Sequence, residues 1–214
     1  DNDTGLNTGG MGTVAPNPYY TPEIARECME KIFLPTIQAM NAEGRTFTGC
    51  LYFGLMLTPK GPKVIEYNCR FGDPETQVVL PLLESDLLTV MQACTNGTLD
   101  KTEVKFSDGA AACVVLASGG YPVAYEKGKE ITGLENGQVP GAADVTVYHA
   151  GTAIKDGKLV TNGGRVLGVT ATAATLPEAL KKAYAAADCI HFDKLHRRSD
   201  IGARALAAMK AQEG

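Results

Sequence analysis

The chain carries the sequence Lys63-Val-Ile-Glu-Tyr-Asn-Cys-Arg-Phe-Gly-Asp-Pro-Glu-Thr76, which combines a strand pattern with a charged turn. The branched residues at its start favour extended structure, and the glycine, aspartate and proline that follow favour a turn. The stretch therefore predicts a strand that ends among charged side chains able to bind ligands.

Glu66 and Asn68 lie two residues apart on this predicted strand, so their side chains project from one face while Ile65 and Tyr67 face away. Their Cα atoms would lie about 7 Å apart, within reach of one hard cation. A carboxylate and an amide oxygen suit Mg²⁺. The pattern leaves two interpretations open: a metal site that serves phosphate chemistry, or a solvated strand end on which Glu66 pairs with Arg70.

The composition is that of a globular protein with one large or two modest domains. The 214 residues are 44% hydrophobic and 21% charged, with a formal net charge of −4. This charge argues against a nucleic-acid partner, since no basic stretch is dense enough to follow a phosphate backbone. No apolar run reaches the length that spans a bilayer, so we expect no membrane association.

The six cysteines are widely spaced and form neither a CxxC motif nor a Cys–His metal motif. Free thiols in apolar surroundings are typical of a reducing compartment, so we expect a cytoplasmic protein. The chain opens on a glycine-rich, acidic loop without an initiator methionine, which indicates a piece of a longer protein.

Two units are predicted along the chain. In the first, residues 1–21 form a loop, a helix begins at Thr21 and is kinked or split at Pro35, and strands over 46–58 and 63–68 form a hairpin. A further helix covers 87–94.

The second unit begins near residue 99, where the sequence becomes polar. A buried strand is predicted over 110–118, with short strands near 146–149, 153–159 and 165–172. Two helices follow, over 176–189 and 200–211, the second capped by Ser199. The fold class is α+β, with domains at 1–98 and 99–214.

Two glycine-rich segments each allow two interpretations. Asn7-Thr-Gly-Gly-Met-Gly12 is neither a P-loop nor a dinucleotide fingerprint, and its glycines serve either a tight turn or anion binding through backbone N–H groups. Thr161-Asn-Gly-Gly-Arg165 is either a hairpin turn beside a surface arginine or a loop that holds a substrate phosphate.

The motifs taken together are more specific than any one of them. Asp1-x-Asp3-x-Gly5-x-Asn7-Thr-Gly-Gly-Met-Gly12, Tyr52-x-Gly54-Leu-Met56 and the 63–76 stretch strongly resemble the phosphoribosylamine–glycine ligase family of ATP-grasp enzymes. Gly119-Gly-Tyr-Pro122, His149-Ala-Gly-Thr152, Thr161–Val166 and Arg198-Ser-Asp-Ile-Gly202 are similar to the C-terminal domain of that family. The resemblance implies the second half of an ATP-grasp domain, with antiparallel strands and helices, followed by a small C-terminal α+β domain.

The resemblance also implies a reaction in purine biosynthesis. A ligase of this family joins glycine to 5-phosphoribosylamine, with ATP as co-substrate and Mg²⁺ or Mn²⁺ as cofactor. The glycine carboxylate attacks the γ-phosphate to give glycyl phosphate, and the amine then displaces phosphate. We expect a monomer, with a dimer as the alternative.

The residue roles implied by the resemblance are as follows. Glu66 and Asn68 match metal ligands, and Leu55 or Met56 would lie beneath the adenine. Arg70 and Asp73 are catalytic candidates. The substrate-binding candidates are Asp1, Asp3, Asn7, Thr8, Gly9, Gly10, Asn162, Gly163, Gly164 and Arg165.

Two departures from the family pattern bear on function. Residues 46–58 contain no second metal carboxylate, and the first half of the ATP pocket does not occur in the sequence. We therefore expect these 214 residues to be inactive alone. A non-catalytic binding or structural piece and a different ATP-grasp carboxylate–amine ligase are the alternative interpretations.

Overall fold

The structure is a computed structural model that describes residues 1–213. Its strands are β1 (Gly12–Ala15), β2 (Tyr52–Thr58), β3 (Gly61–Asn68), β4 (Ala110–Ser118), β5 (Val145–His149), β6 (Thr152–Lys155), β7 (Lys158–Thr161), β8 (Arg165–Ala173) and β9 (Leu195–His196). Its α-helices are α1 (Pro22–Cys28), α2 (Leu34–Ala42), α3 (Thr76–Val79), α4 (Leu87–Asn96), α5 (Leu176–Ala187) and α6 (Ala203–Glu213).

The chain forms two compact units. The first, here called the sheet unit, comprises Asp1–Asn17, Asp73–Leu82 and Ser107–Gly214. The second, the hairpin unit, comprises Pro18–Gly72 and Leu83–Phe106. Contacts thus group the first 17 residues with the C-terminal half, whereas the sequence predicts domains at 1–98 and 99–214. That boundary concerns family domains and stays a prediction.

An antiparallel sheet in the order β1-β4-β8-β5 is the centre of the sheet unit, and β9 pairs with the end of β4. Every residue of β4 is buried, because helices cover both faces of this central strand. On one face, α5 packs small residues against β4 and β8: Ala179, Ala183, Ala186 and Ala187.

The other face of the sheet packs against α3 and the glycine-rich loop. Met11, Val78 and Leu82 contact the alternate residues of β4 that point to this side. One of them is Cys113, and its burial raises the pKa of the thiol to about 11. We infer that Cys113 packs as a small hydrophobe and stays protonated.

Helices in the hairpin unit flank the β2–β3 hairpin. The Thr21 hydroxyl accepts a hydrogen bond from the Ile24 N–H and caps α1. A π-helical turn, Met29–Phe33, separates α1 from α2, and Pro35 lies in the first turn of α2. The regular α-helix is therefore interrupted in the turn before Pro35, and the chain stays helical through the predicted kink or split. Asp86 caps α4, which ends at Gly97 in the left-handed conformation.

The α+β fold class and the β2–β3 hairpin are confirmed, but four predicted elements are wrong in detail. The strand predicted over 46–58 begins only at Tyr52, and the one over 153–159 is a hairpin that turns at Asp156 and Gly157, both at positive φ. Gly12–Ala15 is not loop but strand, because β4 offers it an edge on which to pair. Its glycine and the proline after it conceal any strand pattern.

The fourth error is the start of the last helix, which lies at Ala203. Ser199 therefore does not cap this helix. Its hydroxyl bonds the Asp1 carboxylate and its N–H donates to Asp1 Oδ1 at 2.9 Å. A long-range partner has replaced the local capping bond that the sequence favours.

Among residues 1–213 no helix has the length and apolar content needed to cross a membrane.

The packing of α5 generates a stability prediction. Ala183→Leu should lower the free energy of unfolding by about 1–3 kcal/mol, because Ala183 is fully buried against the sheet and a leucine overpacks the site. Urea unfolding measures this change. The control is Ala185→Leu on the exposed side of the same helix. Equal effects of the two substitutions would mean that α5 does not pack on the sheet through Ala183.

Candidate active site

Glu66 and Asn68 project from the same face of β3, as the sequence predicts. Asn68 Nδ2 donates a hydrogen bond to Glu66 Oε1 at 3.0 Å. The two side chains are thus neighbours on one face of the strand.

Gly54 on β2 makes room for the Glu66 side chain. It is the cross-strand partner of Glu66, and a Cβ at this position would lie 2.8 Å from Glu66 Cγ. Any larger residue would have to displace the carboxylate. The glycine of the Tyr52-x-Gly54 motif is therefore required to leave space for the Glu66 side chain.

The donor chemistry of this pair fits a hard divalent cation. A carboxylate and an amide oxygen are ligands that Mg²⁺ accepts, with water and phosphate completing its shell. Within residues 1–213 no group of three or more His, Cys, Asp or Glu side chains could hold a metal ion. The protein side of a cation site here would thus consist of Glu66 and Asn68, with the substrate supplying other ligands.

Leu55 and Met56 lie on opposite faces of β2. Alternation places Met56 with Gly54, on the face of Glu66, and places Leu55 with Phe53 on the other face. Met56 is 54% exposed. Of the two adenine candidates, Met56 is the one that shares a face with the cation pair.

The opposite face of the hairpin borders an apolar cavity of about 620 Å³. Tyr67 and Val64 line it from β3, and helix residues such as Ile32 and Met40 line it from the other side. A bulge leaves Ile65 without a cross-strand partner, and the side chain is 61% exposed. Tyr67 is also exposed, at 50%, so the predicted grouping of Ile65 with Tyr67 stays a prediction.

Arg70 is exposed at the end of the hairpin unit. Its Nη1 donates to the Phe71 carbonyl at 3.0 Å, so the guanidinium keeps further donors for a ligand. Asp73 belongs to the sheet unit.

Arg165 in the sheet unit joins the Asp73 turn to the glycine-rich loop. Its Nη2 donates to Asp73 Oδ2 at 3.1 Å, and its Nη1 donates to the carbonyls of Asp73 at 2.9 Å and Gly10 at 3.1 Å. Gln77 Nε2 donates to the other Asp73 oxygen at 3.0 Å. Both carboxylate oxygens of Asp73 therefore have protein partners.

The glycine-rich loop lies close to two further side chains. The Gly9 N–H donates to the Tyr121 hydroxyl at 3.1 Å, and a Cβ on Gly10 would lie 2.4 Å from Pro74 Cδ. Gly10 is therefore needed for close approach to the Asp73–Pro74 turn. The structure thus gives Gly10 a packing role, and the two predicted alternatives, a tight turn and anion binding, both stay predictions.

Asn162, Gly163 and Gly164 are fixed by backbone contacts. The Asn162 N–H donates to the Gly151 carbonyl at 2.7 Å, and Ser118 donates from its hydroxyl to Gly163 O and from its N–H to Gly164 O, both at 2.8 Å. A Cβ on Gly164 would lie 2.2 Å from the Tyr121 ring. These glycines bring β8 close to the segment that follows β4.

Asp1 and Asp3 pair with the start of α6 and with the segment that precedes it. Asp3 accepts from Arg198 Nη1 at 2.9 Å and also pairs with Arg204, while Asp1 binds Ser199. Arg198 donates two further hydrogen bonds to Asp200, both at 2.7 Å. The Arg198 guanidinium, together with the Asn2 N–H, holds the pKa of Asp200 well below its usual range.

These segments of the sheet unit enclose a polar cavity of about 440 Å³. It is lined by Asp1, Asp3, residues 4–12, Tyr121, Pro122, His196 and Arg198. The structure thus brings Asp1, Asp3 and residues 7–10 together around one cavity. Arg165 contacts the loop from outside this lining.

Sequence reasoning did not select Tyr121, His196 or Arg198 as site residues. Gly119-Gly-Tyr-Pro122 was a family motif without an assigned role, and His196-Arg197-Arg198 is a short basic cluster typical of a helix end. The one local signal that could have identified Arg198 as a site residue was its place in the Arg198-Ser-Asp-Ile-Gly202 motif. Its carboxylate partner Asp3 lies 195 residues away.

Two sequence-family models match the chain in succession. Phosphoribosylglycinamide synthetase, ATP-grasp (A) domain, matches residues 1–76, and phosphoribosylglycinamide synthetase, C domain, matches residues 111–204. The two matches belong to one family, occur in order and together cover most of the chain.

The chain belongs to the phosphoribosylglycinamide synthetase family.

Individual relatives agree with this family. The phosphoribosylamine–glycine ligase of Agrobacterium fabrum is 50% identical over 212 residues, which are 99% of this chain and 49% of the relative. The trifunctional purine biosynthetic protein adenosine-3 of Gallus gallus is 49% identical over the whole chain, which matches 21% of that protein. The chain spans about half the length of the curated ligases that it matches.

A solved structure supports the fold. The crystal structure of phosphoribosylamine–glycine ligase from Thermotoga maritima superposes with a TM-score of 0.81 at 42% identity and covers 94% of this chain and 48% of the other. The predicted membership of the ATP-grasp superfamily is thus confirmed. ATP-grasp proteins in general use ATP and divalent metal ions.

The Asp200 ion pair generates a prediction about pH. A carboxyl pKa that is lower in the folded state adds stability above the unfolded-state pKa of about 3.9, and this contribution is lost as pH falls. Asp200→Asn should therefore destabilise the chain at pH 7 and by progressively less below about pH 4. Urea unfolding across this range measures the difference.

The control for this experiment is Asp108→Asn, an exposed aspartate of the same unit. It should show no comparable pH-dependent loss. A destabilisation by Asp200→Asn that stayed constant down to pH 2 would rule out the ion pair as its source.

Proposed function

We propose that this chain takes part in the ATP-dependent ligation of glycine to 5-phosphoribosylamine, which yields glycinamide ribonucleotide, ADP and phosphate. The observation that carries the proposal is the 50% identity to a phosphoribosylamine–glycine ligase over 99% of the chain. Because the chain spans about half of that ligase, we propose that turnover also requires the remaining length of the family.

The reaction brings two anions together, since the glycine carboxylate must attack a phosphate of ATP. Catalysis then depends on neutralising charge and holding an in-line geometry. A divalent cation, Mg²⁺ or Mn²⁺, supplies part of that neutralisation when bound. We assign Glu66 and Asn68 as its protein ligands, a role that their shared face and the hydrogen bond that makes them neighbours support.

Arg70 is the proposed contact for charge that develops on the transferring phosphate and on glycyl phosphate. Its exposure and its single short-range hydrogen bond leave guanidinium donors for such a ligand. Met56 is the proposed apolar contact for the adenine ring, with Leu55 as the alternative. The face that Met56 shares with Gly54 and Glu66 favours Met56.

The polar cavity of the sheet unit is the proposed substrate site. Asp1, Asp3 and residues 7–10 line it, as substrate-binding residues should. Asp73 and residues 162–165 lie outside the cavity lining, and Arg165 connects Asp73 to Gly10 of the lining loop. The hydrogen bonds that Asp73 accepts from Arg165 and Gln77 favour a positioning role for its carboxylate. The carboxylates of Asp1 and Asp3 would accept hydrogen bonds from substrate amine groups as well as from their present partners, Arg198, Arg204 and Ser199.

We further propose a cytoplasmic location, a monomeric state and no nucleic-acid or membrane partner. All six cysteines are free thiols, as in proteins of a reducing compartment. The net charge of −4 argues against binding to nucleic acid.

A coupled ADP-release assay with glycine and freshly prepared phosphoribosylamine tests the function. The chain is assayed alone and as a chimera with the part of the Agrobacterium ligase that lies outside the matched segment. We expect turnover only in the chimera. Turnover with other amine acceptors but not with phosphoribosylamine would assign the chain to another ATP-grasp ligase.

Glu66→Ala in the active chimera should abolish turnover, because it removes the anionic ligand of the proposed cation pair. The measurement is kcat across a Mg²⁺ titration. Glu30→Ala, which removes an exposed acid from the same unit, serves as the control and should leave kcat unchanged. Near-normal turnover of Glu66→Ala at saturating Mg²⁺ would contradict the assignment.

Arg70→Ala should lower kcat at least tenfold with little change in the KM for ATP, because the guanidinium acts on charge that develops in the transition state. Steady-state kinetics with ATP varied gives both constants. Arg45→Ala, at an exposed position of the same unit, is the matched control. A change confined to the KM for ATP would instead make Arg70 a ground-state nucleotide contact.

A further inference from the structure

Tyr121 lies in a turn whose backbone fixes the direction of its side chain. The turn follows β4, and the Tyr121 N–H donates to the Ser118 carbonyl at 3.1 Å. Gly120 has φ of +93°, and a Cβ there would lie 2.0 Å from the Ala124 carbonyl oxygen. The ring packs on Gly164 and lies 6.1 Å, centroid to centroid, from the ring of Tyr125. The ring therefore contacts both Gly164 and Tyr125.

The hydroxyl of Tyr121 is held at the polar cavity by one hydrogen bond. It accepts the N–H of Gly9 at 3.1 Å, and Tyr121 is one of the cavity-lining residues. Among residues 1–213 the hydroxyl has no acceptor for its own hydrogen. A phenol that accepts one hydrogen bond becomes a better donor of the next, so this hydrogen is available to a ligand.

The size and chemistry of the cavity indicate what this ligand is. A volume of about 440 Å³ suits a molecule much larger than glycine. The lining includes the hydroxyls of Thr4 and Thr8, the amide of Asn7 and the imidazole of His196, all of which can hydrogen-bond. Such a lining fits a ligand rich in hydroxyl oxygens better than a planar apolar ring.

We propose that Tyr121 is a substrate-binding residue whose hydroxyl donates a hydrogen bond to a ribose oxygen of phosphoribosylamine. This inference rests on the proposed function. The bond from Gly9 orients the phenol, so the glycine-rich loop and Tyr121 act together on the sugar. The residue thereby sets affinity for the phosphoribosyl substrate and leaves nucleotide and glycine binding unchanged.

The test compares Tyr121→Phe with Tyr125→Phe in the chimera described above. The first substitution removes the hydroxyl and keeps the ring, and the second removes a neighbouring hydroxyl that does not line the cavity. We expect Tyr121→Phe to raise the KM for phosphoribosylamine about tenfold, the loss of roughly one hydrogen bond. The KM values for glycine and ATP should stay within about twofold, and Tyr125→Phe should match the parent.

Three results would overturn the proposal. They are equal kinetics for the two variants, a rise confined to the KM for glycine, and a fall in kcat together with rises in every KM. The last would mean that Tyr121 only supports the fold.

A second measurement uses the unsubstituted chain and does not depend on ligase activity. The chain is labelled with ¹³Cζ-tyrosine and titrated separately with ribose 5-phosphate and with inorganic phosphate. We expect ribose 5-phosphate to move the Tyr121 resonance and leave that of Tyr125 in place. A Tyr121 resonance unaffected by ribose 5-phosphate, or moved equally by inorganic phosphate, would overturn the assignment to ribose. If ribose 5-phosphate moves Tyr121 while the chimera is inactive, the proposed reaction fails and the sugar site stands.

Discussion

The guanidinium of Arg165 holds together three segments that are far apart in the sequence. It donates to Gly10 of the glycine-rich loop and to both the carbonyl and the carboxylate of Asp73, while its own backbone begins β8. A planar guanidinium holds its N–H donors in a fixed fork on two terminal nitrogens, whereas a lysine has one compact ammonium group. Because the loop, the Asp73 turn and the sheet meet at this one side chain, the shape of the polar cavity depends on it.

Two glycines of the sheet unit lie where the close packing of neighbouring segments leaves no room for a side chain. Gly10 approaches Pro74, and Gly164 approaches the Tyr121 ring, at distances that no side chain would allow. The glycines thus serve close packing between segments, and their backbone freedom matters less here. Arg198 plays a similar part on the other side of the cavity, where it ties Asp3 to Asp200.

The β2–β3 hairpin has a polar face that carries the proposed cation ligands and an opposite face that borders an apolar cavity. Glu66, Asn68 and Gly54 share one face, while Tyr67 and Val64 border an apolar cavity on the other. Successive side chains of a strand point to opposite faces, so the sequence alone predicts which residues of the hairpin share a face. The bulge at Ile65 interrupts the alternation, and the sequence carries no turn residue that would reveal it.

The sequence by itself determined the elements whose causes are local. The strand β4, the capped start of α1, the existence of α4 and the shared face of Glu66 and Asn68 all follow from residue spacing and propensity. The family resemblance also rested on motifs that are contiguous in the chain. Only the tertiary structure decided that Gly12–Ala15 is a strand, that Ser199 binds Asp1 and that Arg165 binds Asp73. Each of these contacts joins residues more than 90 positions apart, and such pairings depend on which surfaces folding brings together, a choice that no local pattern encodes.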